Sequence, residues 1–318
     1  MFLSVDLSSR FIHMVQMKKT GRGYAVTGFA CEKTPDDTVK NGVVTNPAGL
    51  GEALRRMADQ NGFKARQMCV SATSPLISYH ELTVPALRQK DLEDMLTEET
   101  SQMSSTKNES LMDYVILGTD QKEEGLFCRV WCAIVPRTLV EGYSEAVQKG
   151  GFRPLCMDTA VNSACKIWQH DETAKNQTVI YAGVREDELC LSLFDAGGRR
   201  LFRGVPIASA APQLDNEFIL SSSVAAADGG SDVQKRITET AVTQISKLLQ
   251  FQMMRSKDSP VTGVCLCSDW GASQQLAEDI RSTLHLQVAS AAAPSFLTCP
   301  RDFSFAEYLY AVGAGIRA

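Results

Sequence analysis

At 318 residues, with 44% hydrophobic and 22% charged side chains, the chain has ordinary globular composition and exceeds what one core usually organises, since domains cluster near about 100 to 200 residues. Two lobes are therefore expected. A net charge of −5 and no Lys/Arg run longer than Lys18-Lys19 or Arg199-Arg200 exclude the basic footprint that a phosphate backbone requires, so nucleic acid is not an expected partner.

The chain opens as a three-stranded meander: Phe2 to Val5, Phe11 to Met17, a Gly21-Arg22-Gly23 turn, then Tyr24 to Glu32. Asp6 interrupts this apolar start too early for the centre of a signal peptide, and no uncharged apolar run approaches the roughly 18 residues of a bilayer span. Asn46 followed by Pro47 predicts a helix start, Leu50, Ala53, Leu54 and Met57 form one apolar stripe, and Gly62 ends it. Met68 to Ala72 reads as a buried strand. From Leu76 to Met157 the pattern runs strand, helix, strand, strand, helix, strand, with strands centred on Leu82, Val115, Trp131 and Leu155, which predicts a compact α+β module. Its first helix, Arg88 to Met103, buries Leu92, Met95, Leu96 and Met103 and carries Asp91, Glu93, Asp94, Glu98 and Glu99 around the rest. Its second begins after Pro136 and ends at Gly150-Gly151.

His170 to Asn176 is the expected junction between lobes. A second meander follows in Thr178 to Ala182, Leu189 to Asp195 and Leu201 to Ile207, the last two joined by Ala196-Gly197-Gly198-Arg199, so the opening arrangement recurs. Ser209 to Asp232 is rich in Ser, Ala, Asp and Gly and is expected to be irregular. Ile237, Ala241, Ile245, Leu248 and Leu249 then define a long helix to about Met254. Val261 to Cys267, Ser273 to Leu284 and Leu286 to Ala289 read as strand, helix and strand, and Phe305 to Ile316 as a final Ala- and Gly-rich helix suited to close packing on the first lobe.

Two α/β lobes, each opened by a three-stranded meander, form the layout of the actin, Hsp70 and sugar-kinase superfamily. Val5-Asp6-Leu7-Ser8-Ser9-Arg10 resembles the D-I-G-S-S first phosphate loop of the PilM and FtsA families, and Ile12 to Met17 resembles the strand after it. Met112-Asp113-Tyr114-Val115-Ile116-Leu117-Gly118 is similar to the D-Y-x-V-L-G of PilM proteins. Ala133 to Arg137, Gly150 to Pro154 and Tyr310 to Arg317 are similar to further segments of that family in the same order. The resemblance implies an α/β, two-lobed actin-like ATPase (ribonuclease H-like) fold with an FtsA/PilM-type inserted α+β subdomain. On this expectation residues 1–170 are the first lobe, with the insert at about 76–157 and completion by the C-terminal helix 305–318. Residues 171–304 are the second lobe, with the irregular segment at 209–232.

In that superfamily two hairpin turns offer backbone N–H groups to the phosphates of ATP, and an acid in each lobe positions Mg²⁺ and water. The resemblance assigns Asp6, Ser8, Ser9, Gly183 and Gly271 to nucleotide binding, with Asp6 at the metal. The residues equally allow Asp6 to satisfy a turn and the serines to be turn formers. Leu7 stands where the family carries glycine. Tyr181-Ala182-Gly183-Val184 replaces D-I-G-A, and Leu266 to Gly271 brings Trp270 where a glycine run would cradle adenine. Each change removes a different contact, so a degenerate nucleotide site is expected, with no cofactor, or ATP/Mg if the site works.

The four histidines are scattered, the ten cysteines lack metal-ligand spacing and read as reduced thiols, and no nucleophile–base pair is visible. The resemblance implies an adaptor rather than an enzyme, cytoplasmic and peripheral to the inner face of the cytoplasmic membrane. It would bind a short cytoplasmic peptide of a PilN-like single-span protein, with self-association possible in principle. The acidic residues Asp91, Glu93, Asp94, Glu98 and Glu99 are the candidate peptide contacts, against the alternative of a solvated face. Two other readings stay open: an active actin-like ATPase of pilus assembly, and an FtsA-like division protein, which would expect a basic amphipathic C-terminal helix where Ala311 to Ala318 carries one positive charge.

Overall fold

The computed structural model describes residues 1–317 apart from 104–108, 173, 186–187, 196–199, 207–229, 257–258 and 269–272. The meander forms as expected, with β1 (Phe2–Leu7), β2 (Phe11–Thr20) and β3 (Gly23–Lys33) antiparallel in sequence order. A small hairpin follows, β4 (Val39–Lys40) and β5 (Val43–Val44), too short to leave a periodic signal. Helix α1 (Pro47–Gln60) starts at Asn46, whose side chain accepts the Gly49 N–H at 3.0 Å, and it buries the predicted stripe. Strand β6 (Gln67–Ala72) lies parallel to β1, buried along nearly its whole length.

The next elements are β7 (Ser78–Pro85), α2 (Gln89–Met103), β8 (Ser110–Lys122), β9 (Gly125–Pro136), α3 (Arg137–Lys149), β10 (Arg153–Thr159) and α4 (Ala160–His170). Their order matches the expected α+β module, but the module is smaller than residues 76–157. Only β7, β9 and β8 form the separate three-stranded sheet, with α2 packed on it through Leu92 and Leu96. β10 pairs in parallel with β6, and α3 covers the first-lobe core through Leu139, Tyr143, Ala146 and Val147. The reason is the β6–β10 ladder: a strand with apolar neighbours on both faces gains more by extending the large sheet than by joining a small half-exposed one.

The second half contains β11 (Val179–Val184), β12 (Glu188–Phe194), β13 (Arg200–Pro206), α5 (Gly230–Arg255), β14 (Gly263–Ser268), α6 (Ser273–Leu284), β15 (Gln287–Ser290), β16 (Leu297–Thr298) and α7 (Phe305–Gly315). The segment expected to be irregular, 209–232, falls mostly outside the described residues, and α5 already begins at Gly230. The Ala196 to Arg199 turn also lies outside them.

The two large sheets repeat one design. The first runs β10-β6-β1-β2-β3 with β16 added at the edge, the second β15-β14-β11-β12-β13. In each, the opening strand is antiparallel to the next and parallel to a later one. Alternation along the opening strands sorts their side chains. Leu3, Val5 and Leu7 enter a core with α1 and α3, and Ile180, Ala182 and Val184 enter one with α5 and α6. The opposite faces meet a shared core built from α4 and α7, which joins Val15, Met17 and Val26 of one sheet to Val179, Tyr181 and Phe194 of the other. Close packing of α7 depends on Gly313, where a Cβ would lie 2.3 Å from the Ser163 carbonyl oxygen of α4. α7 also touches β1, where the Ser4 hydroxyl donates to the Ala311 carbonyl at 2.5 Å.

Candidate functional site

The two opening strands end in matching connections. Ser8 N–H donates to the Phe11 carbonyl at 3.1 Å, and Arg185 N–H donates to the Glu188 carbonyl at 2.9 Å. Superposing these closures makes Ser8 equivalent to Arg185, Leu7 to Val184 and Asp6 to Gly183.

That equivalence corrects two expectations. Leu7 does not stand in the cleft: it is 1% exposed and packs in the first-lobe core. Strand alternation sends it there, and Ser8 takes the turn position. Tyr181 does not stand at the acid position of the second lobe either. It lies two residues back, packed edge-on against Phe194 with ring centroids 5.7 Å apart.

Asp6, Ser8 and Gly183 do converge on one region. Ser9 sits half-buried in the first turn, and Gly271, with Trp270, lies outside the described residues. Ser8 serves the turn itself, its Oγ accepting the N–H groups of Arg10 at 3.2 Å and Phe11 at 3.0 Å. Gly183 faces the ring of Tyr310 on α7, and a Cβ on it would lie 2.2 Å from the phenolic oxygen. Asp6, 1% exposed, accepts a charge-assisted hydrogen bond from the Arg185 guanidinium, which crosses from the second lobe and is itself buried. Tyr310 covers that guanidinium, its ring centroid 5.3 Å from Cζ. Burial pushes the Asp6 carboxyl above its ordinary range, and the Arg185 charge and Ser71 oppose the rise.

Register shows that Asp6 belongs to a row. His13 of β2, Ser71 of β6 and Asp158 of β10 stand at its level across four adjacent strands. His13 is buried with its ring 5.2 Å from that of Tyr308, and burial together with the nearby Arg185 charge lowers its pKa to about 3. It is neutral at physiological pH. Asp158, like Asp6, has its own cation: Lys166 Nζ lies 2.7 Å away and also donates to the Ile316 carbonyl at 2.7 Å. Asn162 and Ser163 donate to the same carboxylate. Both acids of the row are thus engaged by basic side chains of this chain. Among the described residues, no three His, Cys, Asp or Glu side chains gather as metal ligands.

Sequence reasoning passed over Arg185, Asp158, Lys166 and Tyr310. The only signal for Arg185 was its place at the head of a charged turn, which reads as solvated. The acidic residues of α2, Asp91, Glu93, Asp94, Glu98 and Glu99, are all exposed, and α2 packs on the β7-β9-β8 sheet rather than on the sheet that carries this row. Glu93 receives a hydrogen bond from Gln89 at 3.0 Å on its own helix. No helix among the described residues is long and apolar enough to cross a membrane.

The family model for type IV pilus assembly protein PilM matches residues 4–194. Among solved structures, the PilM-PilN type IV pilus biogenesis complex aligns with a TM-score of 0.80 at 16% identity, covering 98% of this chain and 97% of that one. A nucleotide-free diol dehydratase-reactivating factor aligns at 0.49 with 8% identity, covering 98% of each chain. A Bacteroides thetaiotaomicron protein with an actin-like ATPase fold and unknown function aligns at 0.44 with 12% identity, covering 90% of this chain and 89% of that one. No curated protein sequence matches the chain. The repeated sheets joined through α4 and α7 are those of the two-lobed actin-like fold, and with more than half its length matched by one family model the chain belongs to the PilM family of type IV pilus assembly proteins.

Proposed function

We propose that this protein is an adaptor of a type IV pilus or related secretion platform that works by shape, with a degenerate nucleotide site. The observation that carries this reading is the buried Arg185–Asp6 pair. The place between the two turns where phosphates and their metal would bind is held by a guanidinium of the protein itself, and Tyr310 fills the approach to Gly183. Mg-ATP does not fit this arrangement. Its metal would have to displace a cation from a buried carboxylate, at the cost of stranding the arginine.

The family and the likeness to the PilM-PilN complex support a PilN-like single-span membrane protein as partner. In this reading the protein sits at the inner face of the cytoplasmic membrane and is held there through that partner's short cytoplasmic peptide, the insert being the nearest candidate surface. The exposed acids of α2 suit a basic peptide, although exposure alone is also what a solvated face displays. The test is a fluorescence anisotropy titration of the protein with a labelled N-terminal cytoplasmic peptide of a PilN-type protein. Saturable binding, weakened when Glu93, Asp94 and Glu98 are changed together to Gln, is the expected result. Binding indifferent to these changes would move the site off α2, and no saturable binding would remove the adaptor reading.

A further inference from the structure

The second-lobe turn does not merely fail to offer a phosphate site; it delivers a cation into the first lobe. Arg185 begins the connection after β11, yet its charged end lies on Asp6 of β1, and the side-chain exposures are 5% and 1%. The pair is enclosed on the first-lobe side by His13 and Ser71 and above by Tyr310. Beside it, a second contact crosses between the lobes, Cys190 Sγ to Thr73 Oγ1 at 3.9 Å. Parting the lobes here would separate two charges inside a protein interior, which is far more costly than breaking a surface pair. In proteins whose lobes close on a ligand, the ligand supplies this kind of link and leaves with turnover. Here the link is covalently attached to one lobe and cannot leave.

We propose that Arg185 is a tethered cation standing in the bridging place between the two turns, so that the chain keeps its lobes closed with no ligand bound. The inference rests on the reading of the cleft as closed to nucleotide, and adds that Arg185 supplies the charged link across it, beside the apolar core that the two sheets share.

The test is amide hydrogen exchange by mass spectrometry on the full chain, comparing wild type with Arg185→Ala. The variant should lose protection by about tenfold or more in β1 and β11 while α1 and α6 keep theirs. Methylguanidinium, which can occupy the vacated place, should restore protection in the variant and leave wild type unchanged, and urea at equal concentration should not restore it. Unchanged protection in the variant would overturn the proposal. So would a loss that methylguanidinium fails to reverse, since Arg185 would then act by packing alone. If Arg185→Ala does not fold, the uncharged pair Asp6→Asn/Arg185→Gln replaces it, with the same selective loss in β1 and β11 expected and unchanged protection overturning the proposal. Mg-ATP binding to wild type would end the closed-cleft reading but leave the exchange result standing, so the two failures are distinguishable.

Discussion

The turns after β1 and β11 share a backbone closure and differ in what their first side chain does. Ser8 bends back to its own turn, accepting two N–H groups within three residues. Arg185 leaves its turn and reaches a carboxylate 179 positions earlier in the chain. One kind of closing hydrogen bond therefore accompanies a local cap in the first lobe and a long-range buried ion pair in the second. The geometry of a turn fixes where a side chain starts, while the side chain's length and charge fix which part of the molecule it holds.

The comparison breaks most visibly at Asp6. Removing the carboxylate leaves Arg185 buried and uncompensated, so Asp6→Ala should cost about 3 to 5 kcal/mol in urea unfolding, the range for breaking a buried pair. A loss below about 1 kcal/mol would place the pair with ordinary surface bridges.

A smaller effect is expected from His13, the neighbour of Asp6 on β2. Its folded-state pKa of about 3 lies below the ordinary 6.5, so in that interval the unfolded chain binds the proton and the folded chain does not. Stability contributed by His13 is complete above 6.5 and is lost as pH falls toward about 3. At two pH units below the ordinary value the loss should be about 3 kcal/mol. Because Asp6 shifts in the opposite sense, the measurement is the difference between wild type and His13→Gln across an acid series of urea melts. Parallel curves would show that His13 does not couple to folding.

The smallest change belongs to the first turn. Ser8→Ala removes a side-chain acceptor from a turn whose backbone bond remains, and should cost about 1 kcal/mol with no change in the protection of β11. A cost as large as that of Asp6→Ala would mean the two turns are coupled rather than separate in task.

Much of the fold was legible because it is written in local pattern. Apolar strand segments separated by turns marked both meanders, Asn46 and Pro47 marked the start of α1, and the Ala/Gly composition of α7 suits the close approach of Gly313 to Ser163 of α4. The extent of the inserted module was not legible, since nothing local distinguishes a strand that extends a large sheet, as β10 does, from one that joins a small sheet. At the candidate site, Asp6 stood out by sequence, but Leu7 was misplaced although the alternation Leu3, Val5, Leu7 already directed it to the core. Arg185 could not have been found this way. A charged residue heading an acidic turn reads as solvated until the partner lobe is placed against it, and the register that aligns His13, Asp6, Ser71 and Asp158 exists only once four strands from distant parts of the chain are side by side.

The central claim is that a side chain of the protein occupies the place of the nucleotide's metal and phosphates, and isothermal titration calorimetry of wild type with Mg-ATP addresses it most directly. The account predicts no saturable heat up to about 1 mM ATP. A saturable isotherm with micromolar Kd would contradict it, because the nucleotide and its metal would then have displaced Arg185 from Asp6.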